Sequence, residues 1–328
     1  LYHWRVVQGS ASVDPDAKPY AYDAAQKALQ EAVDRRGWEG TVSKGRDVGY
    51  YEVRFRVAKK PRVAVFVFET TCSEATGRCI SSVMRHCAGG PLQAAILTGD
   101  GGDTRVSAET ISGIACRRYE GFQTLAEACN VAASEMEADC MLFLGSDVEV
   151  VSPDLIGAMA GYALRSETGA VGGKILYPDG TIMSTGLMID PAGRVTGLNH
   201  RFGRDDQGYN GMIRYARNVS AVPILLMMMR KDLFEAVGGF DPALRFYADI
   251  DLCLRLRERG LLIVYQPAAE SVRHGPIALS YDDLFGSSGG AAGEREIIAA
   301  RWDHLIGKGD PYYNPNLRTD TGDFSIRV

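Results

Sequence analysis

Two carboxylates one residue apart, Asp147 and Glu149, follow directly on an unbroken apolar run at residues 140–144 (Cys-Met-Leu-Phe-Leu). A run without polar alternation reads as a strand buried on both faces. In open parallel sheets, ligands bind just past the carboxyl ends of the strands. Carboxylate oxygens placed there suit a hard divalent cation shared with substrate phosphates. The same acids equally suit a strand-to-helix loop that caps a helix starting near Ser152-Pro153-Asp154. On this stretch alone the two readings are even.

Three other places carry chemistry-bearing residues. Asp249 and Asp251 open an amphipathic helix over 249–259, just after the glycine-bearing stretch 237–241. Acids at a helix start complement its dipole, and one that lies against a cleft can serve as a general base. His274 stands between a predicted strand and the Gly275-Pro276 break. A lone histidine is more often a surface or packed residue than a ligand, and this one gains weight only beside the acid clusters. Asp100 lies in the glycine-rich turn 98–103, which reads first as a turn and second as a nucleotide contact. There is no Walker A motif, no GxGxxG after the first strand and no GxSxG elbow, so P-loop, dinucleotide and serine-hydrolase chemistries are not supported.

Alternating strands and helices must position these residues. Apolar periodicity predicts strands at 63–68, 94–97, 114–118 and 140–144, with helices at 73–87, 122–136 and 152–166. That alternation implies an α/β domain with a mainly parallel, doubly wound sheet and helices on both faces. Further strands are expected at 170–177, 182–189, 195–198, 219–229 and 262–265, and helices at 231–237 and 249–259. Residues 1–57 read as a lead-in with a helix at 21–36 and one alternating strand. Residues 58–285 form the α/β domain, and 286–328 a tail with a short helix.

The chain has 328 residues, 46% hydrophobic and 23% charged, an ordinary globular balance. A net charge of −5 argues against a nucleic-acid binder that neutralises phosphates. Seven cysteines, odd in number and without metal-ligand spacing, point to buried free thiols in a reducing compartment. No apolar run reaches the length of a membrane span, and no signal peptide is present. The chain begins without Met, as a piece of a longer polypeptide would.

Jointly, these residues resemble a family 2 glycosyltransferase with the GT-A fold, of the bacterial O-antigen or capsule type and rhamnosyltransferase-like. The matching segments are 142–150, Gly169-Ala-Val-Gly-Gly-Lys174 and its continuation to 182, 217–221, Val237-Gly-Gly-Phe-Asp241, Asp249-Ile-Asp-Leu-Cys-Leu-Arg255 and His274, in family order across 62–280. The resemblance implies that Asp147 is the last acid of a DxD metal motif, with Glu149 beside it and His274 completing a Mn²⁺ or Mg²⁺ site. It implies Asp249 as the base for the acceptor hydroxyl, and Thr70, Asp100, Ser146, Asp147 and Lys174 around the nucleotide-sugar. Asp179, Ser220 and Asp251 fall in the acceptor region. The activity implied is inverting transfer from a dTDP- or UDP-sugar to a glycan or lipid-linked glycan acceptor, building a surface polysaccharide. The implied setting is the cytoplasm, with peripheral association at the inner membrane face.

Tyr2-His-Trp-Arg5 and residues 310–316 are similar to the junction and tail of tandem enzymes, so the chain is expected to be a second module after an upstream glycosyltransferase domain. The pattern departs from the family at Gly145, where the first DxD acid normally stands, at Glu69, at Ala248 and at residues 220–224. Those departures keep a second reading open, a catalytically silent module that binds nucleotide or glycan. A nucleotidyltransferase would need a basic, glycine-rich loop after the first strand, and residues 68–78 hold only Gly77 and Arg78.

Overall fold

The computed structural model describes residues 19–69, 73–86, 92–99, 102–277, 281 and 290–327. The chain divides into two units, Leu1–Ala58 and Lys59–Val328. In the first, α1 (Pro19–Arg35) opens on a proline, whose missing N–H costs nothing at the first helical position. It ends where Gly37 turns to φ +64°. Its Gln30 amide then binds both the Val42 N–H (2.8 Å) and the Gly40 carbonyl (3.0 Å) of β1 (Gly40–Lys44), which pairs antiparallel with β2 (Tyr51–Phe55). β1 was not expected, because its residues show no apolar alternation and only Val42 is buried.

In the second unit, β3 (Val63–Phe68), α2 (Ser73–His86), β4 (Leu92–Leu97), β5 (Arg105–Ile111), β6 (Ile114–Glu120), α3 (Leu125–Glu135) and β7 (Cys140–Gly145) come first. β8 (Val148–Val150), α4 (Leu155–Ala163), β9 (Thr168–Leu176), β10 (Ile182–Ser184), β11 (Leu187–Ile189), β12 (Val195–Gly197) and β13 (Arg217–Val219) follow. Last are β14 (Leu226–Arg230), α5 (Lys231–Ala236), α6 (Ala248–Glu258), β15 (Leu262–Arg273), α7 (Gly290–Arg301) and α8 (Asp303–Ile306).

The main sheet runs β13-β15-β9-β14-β7-β3-β4-β6-β5. β3, β4, β6, β7, β9 and β15 point one way, and β5, β13 and β14 oppose them. The sheet is therefore mainly parallel by strand direction, with β14 inserted antiparallel between β7 and β9. β3, β7 and β9 are buried along their whole length, and Phe66, Phe143, Phe234 and Phe240 pack ring against ring in the core. Among the described residues, no helix is long and apolar enough to cross a membrane.

Several boundaries differ from the periodicity. The apolar run 219–229 is not one strand: it divides into β13 and β14 around a turn closed by Leu226 N–H to the Pro223 carbonyl (3.1 Å). Proline has no N–H to give a central ladder, so the run breaks there. The run 182–189 divides at Gly186, whose φ is +109°. β15 does not stop at Pro267 but continues to Arg273, absorbing the proline in a register shift between Tyr265 and Glu270.

Candidate active site

The loop after β7 is fixed from both sides. Ser146 N–H bonds the Phe68 carbonyl (2.9 Å) at the end of β3, and His274 N–H bonds the Asp147 carbonyl (2.8 Å). Residues 148–150, expected as loop, form β8 and pair with β15 in a register that sets Val148 against Arg273. The extension of β15 beyond Pro267 thus brings His274 to the acid loop. Glu149 accepts from Arg85 of α2 (2.7 Å) through one oxygen, and its other oxygen lies 3.0 Å from His274 Nε2.

Asp147 sits deeper. Its Oδ2 is 2.9 Å from Arg273 Nε, and both side chains are 6% exposed. Its Oδ1 is buried with no hydrogen-bond partner among the described residues, which is costly unless something else engages it. Ser146, Asp147, Glu149 and His274 line a cavity of about 210 Å³ together with Arg78 and Gly275. Gly275 is required by this packing, since a Cβ there would stand 2.2 Å from Asp147 Oδ2. At Gly145 a Cβ would meet Leu225 Cδ2 at 2.7 Å and Asp147 Oδ1 at 3.0 Å, so the position of the missing first acid is already filled.

The donor set suits a divalent cation in one respect: Asp147 offers an unengaged buried carboxylate oxygen, with the Glu149–His274 pair alongside. Among the described residues no three His, Cys, Asp or Glu side chains converge on one point. A cation held by so few side chains would need water or other oxygen ligands to complete its shell, as Mg²⁺-type sites usually do.

Asp249 lies in the first turn of α6, 2% exposed. Its Oδ2 accepts from Ile224 N–H (2.8 Å) and from the Tyr281 hydroxyl (2.5 Å), and its Oδ1 from Ile250 N–H (2.8 Å). Burial pushes its pKa up to about 6, with the hydroxyl and amide donors pulling against that rise. The Tyr281 phenol is driven well above its usual value by burial and by the carboxylate beside it.

The two acid positions share one short segment. Ile224 N–H holds Asp249, and the carbonyl of the next residue, Leu225, accepts from Gly145 N–H (3.3 Å). This segment can reach the sheet because β9 carries Gly172 and Gly173. A Cβ at Gly172 would stand 2.5 Å from Val222 Cβ, and one at Gly173 would stand 2.4 Å from Leu226 Cδ2.

The other sequence-predicted residues lie elsewhere. Lys174 is buried in a polar cluster, 2.8 Å from Glu270 and 3.1 Å from the Arg204 carbonyl. Asp179 accepts from Thr181 (2.6 Å) and Arg201 (3.0 Å), which hold its carboxyl below the usual range. The Ser220 hydroxyl is buried without a partner among the described residues. Asp251, one turn position from Asp249, is taken up by Arg255 (2.7 Å), Arg301 (2.8 Å) and Trp302 Nε1 (3.0 Å), which anchor the C-terminal helices. Thr70 and Asp100 lie outside the described residues. Sequence reasoning missed Arg273, Tyr281 and Arg85. Arg273 adjoins His274, but reading β15 as ending near 265 hid the strand that delivers it.

This arrangement is the GT-A fold. The chain superposes on GalNAc-T7, solved with UDP, GalNAc and Mn²⁺, with a TM-score of 0.54 and 12% identity over 84% of this chain and 56% of that one. It is 28% identical, over 99% of its length, to the uncharacterised protein y4gI of Sinorhizobium fredii, and 25% identical, over all of it, to the O-antigen biosynthesis protein RfbC of Myxococcus xanthus. The chain spans 37% and 26% of those two proteins. It matches no protein-family model.

Proposed function

We propose that the chain is an inverting glycosyltransferase module that moves a sugar from a UDP- or dTDP-linked donor to a surface polysaccharide of the O-antigen or capsule kind. The observation that carries the reading is Asp249: a buried carboxylate with a pKa near 6, in a GT-A fold, coupled through residues 224–225 to the Asp147 loop. Similarity along the whole chain to RfbC supports the polysaccharide setting.

In this reading Asp249 receives the acceptor hydroxyl proton as that oxygen bonds to the anomeric carbon. The anomeric carbon–oxygen bond to the diphosphate breaks on the opposite face, and its electron pair leaves with the nucleoside diphosphate. Asp147, with Glu149 and His274, would hold Mn²⁺ or Mg²⁺. Such a cation supplies positive charge for the departing diphosphate. The resemblance assigns Ser146, Lys174, Thr70 and Asp100 to the donor, and Asp179, Ser220 and Asp251 to the acceptor. Work at the cytoplasmic membrane face, beside a linked upstream transferase domain, completes the proposal.

A second reading, a silent module, draws on Tyr281 closing off Asp249 and on Arg273 occupying one oxygen of Asp147. Thermal unfolding with UDP, dTDP and their sugars, with and without Mn²⁺, separates the two. A transferase gains stability from nucleotide plus cation and releases nucleoside diphosphate from one of the donors. Binding without release, or no shift with any nucleotide, selects the silent module.

A further inference from the structure

A cavity of about 330 Å³, separate from the Asp147 loop, reaches Tyr281 and through it Asp249. Its floor is apolar, from Val195 and Pro223. One wall is the Tyr177 ring, with His200 Nε2 3.2 Å from its hydroxyl and Arg201 5.7 Å from its centroid. Thr321 and Asp323, far along the chain, also line it.

That distant segment is fixed in place. Thr196 Oγ1 donates to the Thr319 carbonyl (2.9 Å), and Asn199 N–H donates to the Gly322 carbonyl (2.9 Å). Gly322 has φ +61°, and a Cβ there would lie 2.4 Å from the Gly197 carbonyl oxygen, so the chain passes too close for any other residue.

We propose that this cavity takes the terminal sugar of a neutral glycan acceptor, and that the Tyr281 hydroxyl holds the place of the sugar hydroxyl that reacts. The inference rests on the transferase reading of Asp249. Its size is at the lower end of small-molecule sites, which run from about 300 to 1,000 Å³. Sugars present C–H faces and a ring of hydroxyls, which suit an apolar floor and aromatic wall rimmed by both donors and acceptors. The cations that line it already face carboxylates, Arg201 with Asp179 (3.0 Å) and Arg194 with Asp190 (3.9 Å), while Asp320 is paired with Arg318 (2.7 Å) and Asp323 accepts from Thr321 (2.7 Å) and the Ser325 N–H (2.9 Å). That pairing favours a neutral ligand over an anionic one. Tyr281 donates to Asp249 Oδ2 at 2.5 Å, and an acceptor hydroxyl must donate to this same carboxylate before it can attack.

The test uses two variants of the full protein. Release of nucleoside diphosphate from UDP-, dTDP- and GDP-sugars is measured without acceptor, so that water is the only nucleophile. Tyr281→Phe opens Asp249 to water, and release rises at least threefold over wild type with folding unchanged by thermal melt. Thr321→Trp fills the cavity. In the organism that makes the protein, it shortens or abolishes the polysaccharide on gels, while the purified variant keeps its stabilisation by UDP and Mn²⁺. Unchanged release in Tyr281→Phe, or full-length polysaccharide with Thr321→Trp, overturns the acceptor assignment alone. No release from any sugar by the wild type and Tyr281→Phe alike, with or without a glycan acceptor, overturns the transferase reading and this assignment with it.

Discussion

Arg273 Nε and Asp147 Oδ2 are 2.9 Å apart, and each side chain is 6% exposed. The pair joins the last residue of β15 to the loop after β7 as an ion contact rather than a hydrogen bond, and it leaves Asp147 Oδ1 buried without a hydrogen-bond partner among the described residues. Breaking a buried pair strands the surviving charge. Arg273→Met is therefore expected to cost about 3–5 kcal/mol, read by urea denaturation. Asp147→Asn added to it should recover much of that loss, because no charge is then left buried. Loss that is simply additive in the double variant would argue against the pairing.

The pH behaviour of Asp249 has a definite sign. A carboxyl whose pKa is raised on folding, here to about 6, favours the folded state only while protonated. Its contribution is full below about pH 4 and is lost as pH rises through about 6, a change of about 3 kcal/mol. Wild type minus Asp249→Asn, compared by thermal melts from pH 4 to 8, should show that decline. In the proposed transferase reading Asp249 must be ionised to act as base, so transfer should rise through about pH 6, and Asp249→Asn should lower it by roughly 10²- to 10⁴-fold.

Two glycines should respond in opposite directions to alanine. A Cβ at Gly173 would press on the Ala269 carbonyl oxygen at 2.3 Å, a backbone atom that cannot swing away. Gly173→Ala is expected to cost about 3 kcal/mol. Gly77, inside α2, has nothing within 4 Å of a built Cβ, and Gly77→Ala should stabilise by about 0.5–1 kcal/mol. Denaturation midpoints check both.

Trp302 Nε1 donates to the 1%-exposed carboxylate of Asp251 (3.0 Å). Trp302→Phe keeps most of the ring and removes that bond, for an expected loss of about 1.5–3 kcal/mol. Limited proteolysis should then cut within 290–327 sooner than in wild type. Equal cleavage rates would mean that Asp251 does not anchor this end.

The strands at 63–68 and 140–145 were legible because a strand buried on both faces has an unbroken apolar signature. The same signature says nothing about direction, so β14 could not be read as antiparallel to β7 and β9. The helix bearing Asp249 was legible from its spacing, but Asp251 beside it looked the same in sequence, and only Arg301 and Trp302 distinguish their surroundings. Partners distant along the chain, such as Arg273 for Asp147 and Tyr281 for Asp249, leave no local pattern. Glu149 and His274 lie 3.0 Å apart, and nothing in spacing alone joins them.

The antiparallel strand β14 lies between β7 and β9, which both precede it along the chain. Newly made β7 and β9 therefore cannot zip to each other if the native sheet is to form. Their facing edges must stay open until residue 230 has been synthesised. A nascent chain halted short of that point leaves β7 bare on one edge and β9 without either β14 or β15, since β15 is also still to come, the kind of apolar surface on which chaperones act and aggregates begin.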